Sequence, residues 1–279
     1  MFSLPVARSY AHALRLCLTS GVETASRVGG MDSSDVGRTK ELRDFVYEWT
    51  PGDEVFRPGY SRKLALTEAL HLLSGTFDEA HFRAVAPKVG SGFFTAQMAY
   101  GPRCQPQYER VSIELRDNPH SRRAVLFVSD NGSWPPPCTN NFQWLVREGR
   151  LEMVVTMRSW DLWLGLPYDT FMFGALHLAM AGALGLPLGR ARVLAASAHL
   201  YEKHWDQVRG AFANDSMGNR MAAYDVASRT WPRFAGPGEH LELYWIEMKS
   251  WAEGDLDWLP WSDPETWAAA QKSGLVRFK

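Results

Sequence analysis

The spacing of apolar and polar positions marks out several elements. Residues 141–159, "NFQWLVREGRLEMVVTMRS", alternate apolar and polar on both sides of "REGR", which predicts a β-hairpin with one buried face. Residues 169–185, "DTFMFGALHLAMAGALG", are apolar around nearly the whole helical circumference, so a buried helix closed by Gly185 is expected. "RKLALTEALHLLSG" (62–75) has apolar residues at helical spacing and ends on Gly75, and "FDEAHFRAV" opens a further short helix. "RVSIELRDNP" (110–119) reads as a helix or a strand stopped by Asn-Pro. "RRAVLFVSD" (122–130) and "ARVLAASAHLY" (191–201) read as strands. The Gly-, Ser- and Asp-rich stretch 27–38 is expected to be a mobile loop. The opening "MFSLPVARSYAHALRLCLTSG" loosely matches an organellar transit peptide, but reads better as an amphipathic helix with Tyr10, Leu14, Leu16 and Leu18 near one side. This mixed order of strands and helices predicts an α+β fold, with helices packed on a largely antiparallel or mixed sheet.

Composition narrows the class. A chain of 279 residues, 46% hydrophobic and 22% charged, has the length and balance for a substantial globular core. Its net charge of −1 supplies no global field to recruit nucleic acid or membrane, so any anion must be held by local arginines. Three cysteines (Cys17, Cys104 and Cys138) make no disulfide framework and fit a reducing cytosol. No apolar run approaches the roughly 18 residues of a membrane helix.

Candidate chemistry centres on "WPPPCTNNFQ" (134–143). Pro135–Pro137 hold the approach to Cys138 stiffly, because proline fixes φ and lacks an N–H. A lone cysteine is ordinarily inert and buried; a nucleophilic one needs its pKa lowered by arginines or a helix N-terminus. Arg38, the pair Arg122-Arg123, and Arg158-Ser159 read singly as solvated surface features. Together with a reactive thiol they form a phosphate clamp, since guanidinium binds phosphate oxygens bidentately. No Walker-type glycine loop is present. "HLYEKH" (199–204) places two histidines five apart, which does not match the i, i+4 zinc pair, and no metal is expected. Trp245, Trp251, Trp258, Trp261 and Trp267 crowd into the C-terminal part, as packing or as an aromatic cover over a flat ligand.

The order of these motifs resembles the catalytic centre of the thymidylate synthase family. That family carries Pro-Cys, Gln five residues on, a hairpin, then Arg-Ser-x-Asp-x-x-Leu-Gly-x-Pro-Phe-Asn. This chain has Cys138, Gln143, Arg158, Ser159, Asp161, Leu164, Gly165, Pro167, Tyr168 and Asp169. "HLYEKH" is similar to its His-x-Tyr-x-x-His, "NPHSRR" to its double-arginine segment, and "TEALHLLSG" to its Glu-bearing helix. The likeness spans roughly residues 38–205 and is weak beyond 210, within one catalytic domain over 1–279.

The resemblance implies roles for these residues. Cys138 is the thiolate that adds to C6 of a pyrimidine. Arg38, Arg158 and Ser159 bind the 5′-phosphate, and Arg122 and Arg123 reach the same phosphate across a homodimer interface formed by a sheet face. His199 and Tyr201 meet the sugar, Gln143 belongs to the nucleotide site, Glu68 organises water and protons near the base, and Tyr100 helps remove the C5 proton. Asp161, Leu164, Gly165 and Tyr168 line the side of the one-carbon donor, 5,10-methylenetetrahydrofolate. A small-molecule enzyme of a bacterial or phage-infected cytosol follows, with neither nucleic acid nor membrane as partner.

Departures from the family pattern redirect the substrate. The family's base-reading Asn is Asp169, whose protonated carboxyl accepts from cytosine N4 and donates to N3, and whose ionised form pairs with N3-protonated cytosine. Thr139 replaces a histidine associated with the uracil carbonyl. "AVAPKVGSGFF" replaces a Trp-rich segment that favours hydride transfer over water. Ala196-Ser197 replaces Gly-Asp before His199, leaving ribose or deoxyribose open. The pattern is therefore similar to the cytidylate hydroxymethylase branch: CMP or dCMP gains a hydroxymethyl group at C5, and tetrahydrofolate leaves unoxidised. The rivals are a dCMP or dUMP methylase yielding dihydrofolate, and a non-catalytic relative that binds nucleotide or RNA. Cys138, Arg158, Asp161 and the near-neutral charge argue against the second rival.

Overall fold

The computed structural model describes residues 4–27, 36–49, 54–87, 95–129, 132 and 135–220. Among them the elements run β1 (Val6–Ala7), α1 (Tyr10–Ser20), β2 (Val22–Arg27), β3 (Val36–Trp49), β4 (Glu54–Phe56), α2 (Arg62–Ser74), α3 (Glu79–Val85), α4 (Gly101–Asp117), β5 (Val125–Phe127), β6 (Thr139–Arg147), β7 (Arg150–Met157), β8 (Trp160–Asp161), α5 (Leu166–Leu184), β9 (Leu188–Tyr201), α6 (Trp205–Ala213) and β10 (Gly218–Arg220). The α+β class holds. The main sheet is mixed, ordered β1-β3-β9-β7-β6-β5, with β2 sharing an edge of β3 with β1, and β8 sharing an edge of β9 with β7.

Local chemistry accounts for the elements. The hairpin turns on Glu148 (φ 52°) and Gly149 (φ 72°), with Arg147 facing Arg150. Two consecutive left-handed residues match the right-handed twist of the flanking strands. Ser61 caps α2 through Leu64 N–H, and Gly75 ends it at φ 71°. α5 is buried over most of its circumference and ends at Gly185 (φ 64°), as its unbroken apolar run requires. Residues 110–117 are the second half of α4; Pro102 falls in its first turn, where the N–H has no helical partner to lose, while Pro106 lies inside the helix.

Some expected boundaries move. Of 122–130 only Val125–Phe127 pairs, because the segment lies at the sheet edge with β6 as its single neighbour. Of the predicted loop 27–38, Arg27 and Val36–Arg38 belong to paired strands, and the rest lies outside the described residues. β3, among the longest strands, carries Arg38, Lys40, Glu41, Arg43, Asp44 and Glu48 without strict alternation, and Asp44 stands at φ 54°. It buries Thr39, Leu42, Phe45, Tyr47 and Trp49. The tryptophans at 245–267 and most of the segment that replaces the family's Trp-rich stretch lie outside the described residues.

The core sits between one sheet face and α1, α2, α4 and α5. Phe142 and Trp144 of β6 are fully buried, and Phe142 meets Phe173 of α5 edge-on at 5.1 Å. The opposite sheet face stays open, with Phe127 55% and Leu194 41% exposed. The back of the sheet mixes these apolar groups with Asn141, Gln143 and the ion-paired Glu152, Arg190 and Arg192.

Candidate active site

Cys138 precedes β6 at a register shift between Thr139 and Asn141. A bulge bends its strand and re-aims nearby side chains. Here the half-buried thiol lies beside the loop after β7, where Arg158 N–H donates to the Cys138 carbonyl at 2.9 Å. The Arg158 guanidinium donates to the carbonyls of Pro136 (2.7 and 3.0 Å) and Pro137 (3.1 Å), so one side chain clips the proline run that leads to the thiol. Ser159 follows, half-buried.

Burial raises the pKa of Cys138; Arg158 opposes that shift, while Asp169 and Asp161 add to it. Cys17 and Cys104 are buried and pushed up to about 12, which leaves them inert. The thiol at Cys138 is therefore the reactive candidate among the three, held protonated until Arg158 and a bound ligand favour the anion.

β8 and the first turn of α5 bring up the carboxyls. Asp161 pairs with His199 across β8–β9, and its Oδ1 accepts the N–H groups of Trp163 (2.8 Å) and Leu164 (2.9 Å). Asp161 thus builds the turn that presents Leu164 and Gly165. A Cβ on Gly165 would meet the Asp161 carbonyl at 2.9 Å and Asp169 Oδ2 at 3.1 Å, so glycine is required for the Asp169 carboxyl to sit where it does. Asp169 Oδ2 accepts from Trp160 Nε1 at 2.9 Å. Burial pushes Asp169 up to about 7 against that hydrogen bond, with Asp161 adding to the rise.

Glu68 of α2 and Tyr100 at the start of α4 face the same carboxyl. Burial holds Glu68 well above the usual carboxylate range, and Asp169 lifts it further; its Oε2 is buried without a hydrogen bond. Burial also raises Tyr100, with Asp169 and Cys138 adding and Thr139 offsetting. At the end of β9, His199 is 8% exposed with Nε2 buried and unpartnered, and Tyr201 lies edge-on to it at 4.9 Å. Burial holds His199 neutral. Tyr201 is raised by burial and by Asp161 and Cys138.

The structure thus brings Cys138, Arg158, Asp161, Asp169, Glu68, Tyr100, His199 and Tyr201 together. Other candidates lie apart. Arg38 pairs with Glu202 and Glu23 on the surface and stacks over Trp205 at 5.6 Å. Gln143 sits between two buried residues of β6, turned to the open sheet face, and its amide donates to the Arg122 carbonyl at 2.9 Å. Arg122 and Arg123 are exposed just before β5. The β5–β6 register sets Val125 opposite Gln143. Arg123 is therefore about seven strand positions from the point opposite Cys138, or roughly 20 Å at the strand rise. These two arginines do not reach their own chain's thiol.

Sequence reasoning missed Trp160 and Arg57. Arg57 lies over Trp163 at 5.0 Å and over Tyr168 at 5.9 Å, with Nε buried and unpartnered. Tyr168 packs on Tyr60 at 5.0 Å and accepts from Ser61 N–H at 3.1 Å. Arg57, Trp163, Leu164, His204 and Gln207 line a cavity of about 480 Å³. Neither contact follows from a local pattern, since 57 and 163 meet only through the fold. Among the described residues no cluster of three or more His, Cys, Asp or Glu side chains could hold a metal.

A thiol leading into a bulged strand, an opposing guanidinium and a network of raised carboxyls thus lie together. The family model for thymidylate synthase matches residues 90–225. The thermostable thymidylate synthase A from Bacillus subtilis shares the fold at 20% identity, TM-score 0.59, over 72% of this chain and 81% of that one. The chain is thus similar to thymidylate synthases, in sequence over residues 90–225 and in fold.

Proposed function

We propose that the protein is a C5 hydroxymethylase of CMP or dCMP that uses 5,10-methylenetetrahydrofolate and water. The observation that carries this reading is the Asp169 carboxyl, buried among groups that hold it near neutrality at pH 7, where the family pattern has an amide. A carboxyl that exchanges its proton at working pH can match the donor and acceptor edge of cytosine; an ionised one opposes uracil O4.

Each residue then has a task. Cys138 adds to C6 and makes C5 nucleophilic, the gain of covalent catalysis. Arg158 and Ser159 hold the 5′-phosphate, and Arg38 joins them by exchanging its carboxylate partners for phosphate. His199 and Tyr201 face the sugar. Glu68 and Tyr100 move protons at the base, their raised pKa values keeping both protonated as donors. The cavity lined by Trp163, Leu164 and the cationic Arg57 fits a flat aromatic molecule bearing a carboxylate. Methylenetetrahydrofolate bound there, and reaching the neighbouring Asp161, Gly165 and Tyr168, would supply the one-carbon unit.

Product mass tests the reading. With methylenetetrahydrofolate, CMP or dCMP is expected to gain CH₂O with no dihydrofolate absorbance. A gain of CH₂ with dihydrofolate identifies a methylase. No product from CMP, dCMP, UMP or dUMP identifies a non-catalytic relative.

The open sheet face supports a homodimer in which Arg122 and Arg123 complete the partner's phosphate site. Phe127 and Leu194 are large apolar groups left in solvent there, the kind of surface a two-fold contact covers. Sedimentation is expected to show a dimer, and Leu194→Arg with Phe127→Arg a monomer with lost activity. Mixing inactive Cys138→Ala and Arg123→Ala chains should restore up to roughly a quarter of wild-type rate, because half the dimers are mixed and each mixed dimer has one intact site. A wild-type monomer at full activity, or no restoration on mixing, defeats the shared-site reading.

A further inference from the structure

Resting on the reading of Asp169 as the base reader, we propose that Trp160 is the specificity-positioning residue: its indole N–H assigns the Asp169 proton to Oδ1 and so decides which base edge the carboxyl can match.

The need for such a residue follows from the symmetry of a carboxyl group. A neutral carboxyl with both oxygens equivalent can place its proton on either one. With the proton opposite N3 it matches cytosine; with the proton on the other oxygen it matches uracil, donating to O4 and accepting from N3–H. A free, neutral Asp169 would therefore read both bases. Discrimination requires something that breaks the symmetry.

Trp160 does so. Its Nε1–H lies 2.9 Å from Oδ2, and an indole nitrogen donates and never accepts. Oδ2 must accept, so the proton of the neutral acid belongs on Oδ1. The second lone pair of Oδ2 remains open to accept an amine hydrogen. With Oδ1 facing N3, this arrangement takes cytosine and refuses uracil. The ring is held firmly enough to act as a reference. Trp160 is 1% exposed, lies edge-on to Tyr47 at 5.8 Å, and packs at 6.3 Å on Phe45, both fully buried. β8 anchors its backbone opposite Ala198. Gly165 leaves just enough room for the pair, since an added Cβ would stand 3.1 Å from Oδ2 and 3.7 Å from the Trp160 ring.

Trp160→Phe keeps an aromatic ring in that cage and deletes the N–H. The expected result is a fall of at least about tenfold in the binding preference for a cytosine nucleotide over its uracil counterpart, the scale set by a buried polar match gained or lost. The pH midpoint of cytosine-nucleotide binding should also move upward, because the lost donor favoured the ionised carboxyl. Equal loss of affinity for both nucleotides with an unmoved pH midpoint overturns the proposal, as that is what mere loosening of the core produces. In an Asp169→Asn background, Trp160→Phe should turn preference towards the uracil nucleotide, because the freed amide can present NH2 to O4 and C=O to N3–H; a double variant with the base preference of Asp169→Asn alone overturns it.

A measurement on the unmutated protein covers a Phe variant that fails to fold. One indole N–H resonance should titrate near pH 7, the displaced value of Asp169, and should cease to titrate in Asp169→Asn. Absence of such a resonance overturns the proposal. Failure of the underlying reading looks different: Asp169→Ala, which removes both oxygens, then leaves base preference untouched. If Asp169→Ala abolishes the preference and Trp160→Phe does not alter it, only the role of Trp160 falls.

Discussion

Cys138→Ala is expected to lower turnover by roughly four orders of magnitude or more, the scale on which removal of a covalent nucleophile acts. Nucleotide affinity should change little, measured by calorimetry with CMP and dCMP. The asymmetry follows from the site. In the proposed complex phosphate and sugar are held by the side chains of Arg158, Ser159, His199 and Tyr201 and not by the sulfur itself, so ground-state binding does not depend on it. The reacting carbon depends on it wholly.

The protonation state sharpens the expectation. In the free protein burial raises the thiol pKa, and the carboxyls of Asp169 and Asp161 push in the same direction. Arg158 is the opposing charge, and its guanidinium is engaged with the Pro136 and Pro137 carbonyls. Iodoacetamide should therefore alkylate free Cys138 slowly at pH 7 and faster as pH rises. Full activity in Cys138→Ala ends the covalent mechanism.

Asp169→Asn is expected to stabilise the free protein and, combined with Trp160→Phe, to turn base preference towards the uracil nucleotide. With Trp160 in place the amide C=O accepts the indole N–H and its NH2 meets N3; without that donor the amide can turn its NH2 to uracil O4 and its C=O to N3–H. The stability effect follows from linkage. The folded carboxyl keeps its proton up to about 7, whereas its ordinary value is 3.8. Between those values the native state binds more protons than the unfolded chain, so stability falls as pH rises through the window and stays low above it. The full displacement corresponds to on the order of 2–4 kcal/mol above pH 7, with water at the half-buried residue reducing it. Glu68, raised by the same burial, acts in the same direction.

Thermal unfolding of both proteins at pH 4 and pH 8 checks this. The Asn variant should gain several degrees at pH 8 and almost nothing at pH 4. An equal gain at both values would place the effect in packing rather than ionisation. Unchanged base preference in Asp169→Ala would show that the base is read elsewhere. The site thus holds a carboxyl at the expense of stability, a trade that makes sense where the proton is used.

Local pattern carried much of the architecture. Alternation around "REGR" determined the hairpin down to its two-residue turn, because a strand's period of two and the left-handed demand of Glu148-Gly149 are local properties. The all-apolar run determined α5, and Gly75 and Gly185 determined two helix ends. β3 was not legible. Its charged residues fall on both sides of the strand and hide the apolar positions, and its hydrogen bonds go to β1, β2 and β9, so its evidence is spread over distant segments.

The site divides along the same line. The order of Cys138, Arg158, Asp161, Asp169 and His199 was legible, because chemistry imposes residue types at set intervals. Which side chains meet was not. Gln143 shares the motif yet turns to the open face with the Arg122 carbonyl, since neighbouring strand positions point to opposite sides. Arg122 and Arg123 read as one clamp with Arg158, yet the β5–β6 register carries them far along the sheet. By itself the sequence determined the fold class, the family pattern and the identity of the acid at position 169. Only the tertiary structure decided that Asp169 is buried near Glu68 and pinned by Trp160, because a pKa and a hydrogen bond belong to an environment assembled from β8, α2, α4 and α5 together.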